Sequence, residues 1–161
     1  MLSAIPVFYS QKMVADVNSF SPSTGKPEFV VESWRGLGIP LAVQDVEPAS
    51  NELLCLAHNP DYVKRIFAGQ EINGFKNKRV DLAETCRYTV AGMRDAGMEA
   101  LRNGRVAVAP VAGFHHARYA KSAGFCTFNG LIIAARALKN AGRVNSIGIV
   151  DCDFHYGDGT A

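Results

Sequence analysis

The sequence has no long apolar run among its 161 residues. A membrane-spanning helix needs about 20 consecutive apolar residues, and no stretch approaches that length. The first ten residues, MLSAIPVFYS, also lack the basic start and the cleavage site of a secretory signal. We therefore expect a cytoplasmic protein without a membrane partner.

The sequence also has no block of charges of one sign. Its 17 basic and 15 acidic residues give a net charge of +2, and they form no basic stripe of the kind that binds nucleic acid. We therefore expect a small or peptide-like partner and no nucleic acid. With 48% hydrophobic residues, the chain can build the apolar core of a globular domain.

Cysteine pairs with the spacing of a metal knot or a redox motif are missing too. None of the four cysteines, Cys55, Cys86, Cys126 and Cys152, belongs to a CxxC motif. They lie in apolar or helical contexts, which favours reduced thiols over disulfides or a structural zinc site.

Strand-like and helix-like segments alternate along the chain. Apolar and β-branched runs predict strands over residues 4–10, 40–48, 105–113 and 144–150. Helical spacing and end signals predict helices over residues 28–35, 49–58, 59–69, 84–103 and 128–142, with a loop over residues 19–27. This order predicts an α/β fold with a parallel sheet and right-handed crossovers, and no internal domain boundary is evident.

Two polar clusters follow predicted strands. GFHHA (residues 113–117) comes after the strand that ends near Ala112, and DCDFHYGDGT (residues 151–160) comes after the strand that ends at Val150. In parallel sheets, ligands bind at the carboxyl ends of the strands. We therefore expect both clusters to contribute to one site.

The second cluster has the pattern of a metal site. In an extended segment Asp151, Asp153 and His155 share one face, and the opposite face, which we expect to pack, carries Cys152, Phe154 and Tyr156. Carboxylates with an imidazole suit zinc, although iron, manganese or cobalt accept the same ligands. The alternative is a polar loop with an aspartate capping the next helix; the GDG that follows and the neighbouring histidines favour the metal.

Tandem histidines indicate proton transfer. His115 and His116 can take and return a proton near neutral pH, and Asp151 and Asp158 are candidates to orient their rings. A histidine at a strand end is otherwise often a satisfied core or loop residue. On physical grounds alone, GFCTFN (residues 124–129) indicates only an apolar turn and HNPDYV (residues 58–63) only a helix start.

Together these motifs carry a family resemblance. GFHHA, GFCTFNGLIIAA and DCDFHYGDGT, in this order and spacing, resemble the histone deacetylase and acetylpolyamine amidohydrolase superfamily, and HNPDYV is similar to its H-x-x-x-Y-V stretch. The resemblance implies an α/β fold with a three-layer parallel sheet of the arginase/deacetylase type. It also implies zinc-dependent removal of an acetyl group from an acetylated small amine, such as an acetylpolyamine, or from an acetyl-lysine peptide.

The resemblance also implies residue roles. Asp153 and His155 would be two of three zinc ligands. His116, partnered by Asp158, would be the general base that activates the zinc-bound water and then protonates the leaving amine. His115 would pair with Asp151.

A structural K⁺ ion is a further implied cofactor, placed near Asp151, Asp153 and His155. Gly124 and Phe125 would line the channel that admits the acetylated side chain, with Phe125 stacking along its stem.

Three positions depart from the family pattern. Tyr156 stands where many members have a second histidine, Phe114 where Pro-Gly or Trp often precedes the histidine pair, and Gly130 where Asn or Asp is commoner. These departures indicate a bacterial-type branch, so a histone substrate is not implied.

The family's third zinc ligand, an aspartate, and its transition-state tyrosine lie beyond the equivalent of Ala161. We therefore expect residues 1–161 to be the N-terminal portion of a single catalytic domain, with a sheet incomplete at the C-terminus and no activity alone; a natural truncation is the alternative. Two other functions stay open: a non-catalytic remnant that binds metal or protein, and an arginase-like binuclear metal hydrolase. An unfinished sheet edge would also favour a homo-oligomer.

Overall fold

The structure is a computed structural model that describes residues 4–15 and 21–161. The elements are β1 (Ile5–Phe8), α1 (Lys26–Gly36), β2 (Leu41–Gln44), α2 (Asn51–Leu54), α3 (Pro60–Phe67), α4 (Val80–Asn103) and α5 (Gly130–Asn140), with short 3-10 turns at Gln11–Met13 and Pro22–Thr24. The predicted loop over residues 19–27 begins outside the described residues, and the rest of it contains the second 3-10 turn and the start of α1.

The sheet is parallel, as predicted. β1 and β2 pair in parallel, with Ile5 opposite Leu41. On the other side of β1, Val108 forms a parallel bridge with Val7, and its N–H donates to the carbonyl of Pro6 at 3.0 Å. The predicted strand over residues 105–113 is present only as this short pairing. Pro110 explains its end, because proline has no N–H for the ladder.

The prediction of a buried strand over residues 144–150 is wrong in the described structure. This segment forms no ladder there, and Val150 is 90% exposed. Ile147 to Val150 line one side of an open groove whose other walls include Ala107 to Ala109. An apolar run suffices to predict a strand, but a strand forms only where a neighbour completes its hydrogen bonds.

Four helices begin and end within four residues of the predicted bounds, whereas the helix predicted over residues 49–58 is present only as the short α2. The side chain of Asn59 caps α3 by accepting from the N–H groups of Asp61 and Tyr62, and α4 ends at Gly104, which has a left-handed φ of 64°. In the described ranges, no helix combines the length and the apolar character that a membrane span requires.

The core forms where α4 packs on β1 and on α5. Its largest fully buried side chains include Leu54, Tyr62, Val90, Phe128 and Ile133. All four cysteines are free thiols. Parallel strands with packed helices agree with the predicted α/β fold, and the core places the loop of the tandem histidines against the start of α5.

Phe114 and Gly130 fit each other closely. Phe114 is buried, and its ring lies over Gly130, the first residue of α5. A Cβ at Gly130 would lie 2.5 Å from Cζ of Phe114. Two of the three departures from the family pattern therefore compensate: the large ring occupies the space that the missing side chain leaves.

We predict that Gly130→Ala destabilises the protein by about 1–3 kcal/mol, because overpacking displaces the ring of Phe114. In a Phe114→Leu background the same substitution should lower the free energy of unfolding less. Urea unfolding of the four proteins measures the coupling. Gly36→Ala at the end of α1, where a Cβ meets nothing within 4 Å, is the control and should not destabilise. Equal losses in both backgrounds would contradict the fit.

Candidate active site

A pocket of about 380 Å³ brings the predicted site residues together. Both polar clusters and the predicted channel reach it. Its lining consists of Ser21, Ser23, Lys26, Gly113, His115, His116, Gly124, Phe125, Cys126, Asp153 and His155. Asp151 and Asp158 are not part of this lining and approach the histidines from elsewhere.

His116 forms a hydrogen bond with Asp158. Its Nδ1 lies 2.7 Å from Oδ1 of Asp158. The hydrogen bond with His116, followed by that with Arg118, lowers the pKa of Asp158 to about 2. An ionised carboxylate can only accept, so Nδ1 of His116 carries the proton and Nε2 is left for the pocket.

His115 lies against His116, with ring centroids 4.1 Å apart. Its Nδ1 is 3.7 Å from Oδ2 of Asp151, and its Nε2 is 3.7 Å from Oδ1 of Asp153. Both distances are too long for hydrogen bonds. Nε2 is buried and has no hydrogen-bond partner in the part of the chain that the structure describes. A buried polar atom without a partner is costly, so a hydrogen bond to this nitrogen would stabilise the site.

Two hydrogen bonds from backbone N–H groups to carboxylates shape the segment from Asp151 to His155. The N–H of Asp153 donates to Oδ1 of Asp151 at 3.0 Å, and the N–H of His155 donates to Oδ1 of Asp153 at 2.8 Å. The second bond is the main cause of the lowered pKa of Asp153. These bonds keep both carboxylates on the side of the histidines.

The opposite face of this segment is open, which corrects the prediction that it packs. Phe154 is 96% exposed and Tyr156 is 75% exposed, and Cys152 is exposed as well. The alternation of the side chains alone does not bury a face, because burial needs a covering segment and no described segment lies there.

Asp153 and His155 offer the donors that zinc prefers. Nδ1 of His155 lies 3.0 Å from Oδ1 of Asp153, and a carboxylate with an imidazole suits this ion. Among the described residues, no group of three or more His, Cys, Asp or Glu side chains could hold a metal ion. The two residues therefore fit zinc as a partial ligand set. The K⁺ site near Asp151 stays a prediction.

The channel residues Gly124 and Phe125 both have left-handed backbone angles, with φ of 51° and 62°. A Cβ at Gly124 would lie 2.3 Å from Cδ2 of His116, so only glycine allows this approach. The N–H of Phe125 donates to the carbonyl of Gly74 at 3.0 Å, and its ring lies 5.8 Å from that of Phe75. The loop before α4 thus positions one wall of the pocket.

His58 is a structural residue of the site that the physical reasoning from sequence missed. It is 1% exposed. Its Nε2 accepts from the N–H of Asn129 at 2.8 Å, and its Nδ1 donates to the carbonyl of Arg118 at 3.0 Å. Burial lowers its pKa to about 4. The available signal was its spacing to Tyr62, one helical turn away, whose hydroxyl donates to the carbonyl of Thr127 at 2.8 Å.

Asn129 ties the end of the second polar cluster to α5. Its side-chain NH₂ donates to the carbonyl of Gly159 at 2.9 Å and to Oγ1 of Thr160 at 3.0 Å. Its Oδ1 accepts from the N–H of Ile132 at 3.1 Å and so caps the helix. One buried side chain thereby fixes the GDG turn to the helix that carries the core.

Comparisons with known proteins indicate the family of the chain. The sequence-family model described as the histone deacetylase domain matches residues 25–161. The polyamine deacetylase HDAC10 of Rattus norvegicus is 34% identical over 140 residues, which cover 78% of this chain and 24% of that protein. An uncharacterised protein of Picosynechococcus sp. is 35% identical over 112 residues, which cover 66% of this chain and 37% of that protein.

A solved structure shows the same fold. The crystal structure of the HDA15 HD domain superposes with a TM-score of 0.81 at 19% identity, covering 98% of this chain and 50% of that chain. The chain thus spans half of this structure and smaller shares of the two relatives.

We predict that stability falls on acidification because of His58. Its folded pKa of about 4 lies below the ordinary value of 6.5, so its contribution is complete above pH 6.5 and is lost as the pH falls to about 4, by up to about 3 kcal/mol. In His58→Gln the free energy of unfolding should depend less on pH across this window. Chemical unfolding at a series of pH values measures it.

His155→Gln is the matched control, because its ring is largely exposed. The free energy of unfolding of this variant should fall on acidification as much as that of the unsubstituted protein. If His58→Gln also kept the full fall, His58 would not be the buried neutral imidazole described above.

Proposed function

Because this chain belongs to the histone deacetylase family, we propose that it forms part of the catalytic centre of a zinc-dependent amidohydrolase that removes an acetyl group from an acetylated amine. The observation that carries the proposal is His116 on the pocket wall, hydrogen-bonded at 2.7 Å to an ionised aspartate. The substrate classes are acetyl-lysine peptides and acetylpolyamines; the relative named as a polyamine deacetylase supports the second class.

His116 is the proton carrier in this proposal. Its Nδ1–H is held by Asp158, so its Nε2 is the atom that takes a proton from the attacking water. The same nitrogen then delivers the proton to the leaving amine. The ionised Asp158 stabilises the imidazolium that exists between these two transfers.

His115 supplies a second contact for the reacting oxygen. Its buried Nε2 has no partner among the described residues, so a water or an acetyl oxygen would complete its hydrogen bonding. Its ring also packs against that of His116, which limits the rotation of both imidazoles. Preorganised groups of this kind stabilise charge that develops during acyl transfer.

Gly124 and Phe125 guide the acetylated side chain. The missing side chain at Gly124 leaves the ring of His116 open to the pocket, and Phe125 offers an aromatic wall for the aliphatic stem of the substrate. Burial of such a stem against an aromatic ring is favourable. The amide is thereby presented to the two histidines.

Asp153 and His155 would hold the zinc. When bound, zinc polarises a carbonyl oxygen and lowers the pKa of a water. A catalytic zinc site usually has three protein ligands, and the described residues supply two in this proposal. We therefore propose that residues 1–161 alone bind zinc loosely and have no turnover.

We predict that Asp153→Ala combined with His155→Ala abolishes zinc binding by a complete catalytic domain that contains this chain. The loss follows because both are removed from a set of three ligands. Metal analysis after dialysis measures the zinc that remains. Retention of stoichiometric zinc by the double variant would show that the ligands lie elsewhere.

The number of metal ions that the unsubstituted complete domain binds per chain also distinguishes the competing functions. One zinc per chain supports the amidohydrolase, whereas two manganese ions would support an arginase-like hydrolase. Little metal of either kind would support a non-catalytic binding module.

We predict that His116→Ala lowers turnover by about 100-fold or more, as expected for the loss of a general acid–base. The measurement is deacetylation of an acetyl-lysine reporter and of an acetylpolyamine by the complete domain. Zinc content should stay at the parent's level, which distinguishes a proton carrier from a ligand. Turnover near that of the parent would refute the role of His116.

A further inference from the structure

The carboxylate of Asp158 is shared between two side chains. Its Oδ1 accepts from Nδ1 of His116 at 2.7 Å. Its Oδ2 accepts from two nitrogens of Arg118, from Nε at 2.8 Å and from Nη2. Each oxygen therefore has its own cationic or imidazole partner.

The backbone of Arg118 is fixed from two sides. Its N–H donates to the carbonyl of Lys121 at 2.9 Å, and its carbonyl accepts from Nδ1 of the buried His58 at 3.0 Å. The guanidinium is therefore presented to Asp158 from an anchored main chain, although 55% of the side chain is exposed.

Among the described residues, Arg118 and His116 are the only ones whose side chains bind the carboxylate of Asp158. The terminal torsion of an aspartate is soft, so a carboxylate bound through one oxygen alone can rotate or swing toward solvent. Two guanidinium nitrogens on Oδ2 remove that freedom, because guanidinium N–H groups have a fixed planar geometry.

We propose that Arg118 is a positioning residue of the catalytic centre. It holds Oδ2 of Asp158, keeps Oδ1 on Nδ1 of His116, and thereby keeps Nε2 of His116 directed to the pocket. The proposal rests on the proposed function, because it gives Arg118 a role in the same proton transfer.

The stability of the protein should depend little on this contact. Ion pairs with an exposed partner contribute little to folding, because solvent screens them. The rate, by contrast, depends on how closely the proton carrier is held in place. A positioning role therefore predicts a loss of turnover without a comparable loss of stability.

The kinetic test uses Arg118→Ala and Arg118→Lys in a complete catalytic domain that contains this chain. We expect Arg118→Ala to lower kcat about 10-fold, in the range seen when an outer partner of a site residue is lost, with little change in KM. Arg118→Lys should retain more activity, because an ammonium still binds Oδ2. Added guanidinium ion should restore part of the activity of Arg118→Ala.

Arg102→Ala is the matched control. Arg102 also donates through Nε and Nη2 to one carboxylate, that of Glu99, at 2.6 and 2.8 Å, but it lies at the end of α4 and does not line the pocket. This variant should keep the parent's kcat. An equal loss in Arg102→Ala and Arg118→Ala would overturn the proposal.

A second measurement does not need activity. The Nδ1–H resonance of His116, assigned with His116→Gln, reports the bond to Asp158 directly. We expect this proton to exchange faster with water in Arg118→Ala, and guanidinium ion should slow the exchange again. An unchanged resonance would overturn the positioning role. If the unsubstituted domain had no deacetylase activity but Arg118→Ala still exchanged the His116 proton faster, the role of Arg118 would be supported and the proposed function refuted.

Discussion

The arrangement of the site depends on one buried imidazole. His58 is 1% exposed and uses both ring nitrogens, one toward the carbonyl of Arg118 and one toward the N–H of Asn129. Only the neutral ring can donate on one side and accept on the other, so a single tautomer fits. The loops that carry the histidines and the GDG turn lack the ladder of a strand in the described structure. Hydrogen bonds from His58 and Asn129 hold these loops instead. Both side chains are buried, and their polar atoms have hydrogen-bond partners.

The helices were predictable from sequence because their signals are local. Asn59 and Gly104 mark helix ends through bonds and angles within a few residues. Strands depend on neighbours that are distant in sequence. The segment before Pro110 therefore makes only one bridge, and the apolar segment that ends at Val150 makes none in the described structure. The apolar pattern predicts which residues can enter a sheet, but it does not show which partner completes the hydrogen bonds.

The predicted site residues meet although the strand predicted before the second cluster does not form in the described structure. His116 and Asp158, 42 positions apart, form a hydrogen bond, and both clusters line or flank one pocket. Physical reasoning from the sequence assigned no role to Arg118, His58 or Asn129, although His58 and Asn129 lie in two of the quoted motifs. Each acts largely through backbone groups or through a carboxylate already assigned to another residue, and such bonds leave no periodic pattern in a sequence. Buried polar side chains that bond to the main chain become recognisable only once the loops are placed.

Two of the departures from the family pattern lie behind the tandem histidines. Phe114 and Gly130 do not line the pocket, and the ring of one fills the space that the other leaves. Gly124, by contrast, faces His116 so closely that no side chain fits there. Close packing therefore acts differently at the two places: behind the histidines, a large residue at one position offsets a small residue at the other, so that the combined volume is kept. At the pocket wall, a side chain in place of Gly124 would overlap the ring of His116, so this position requires glycine.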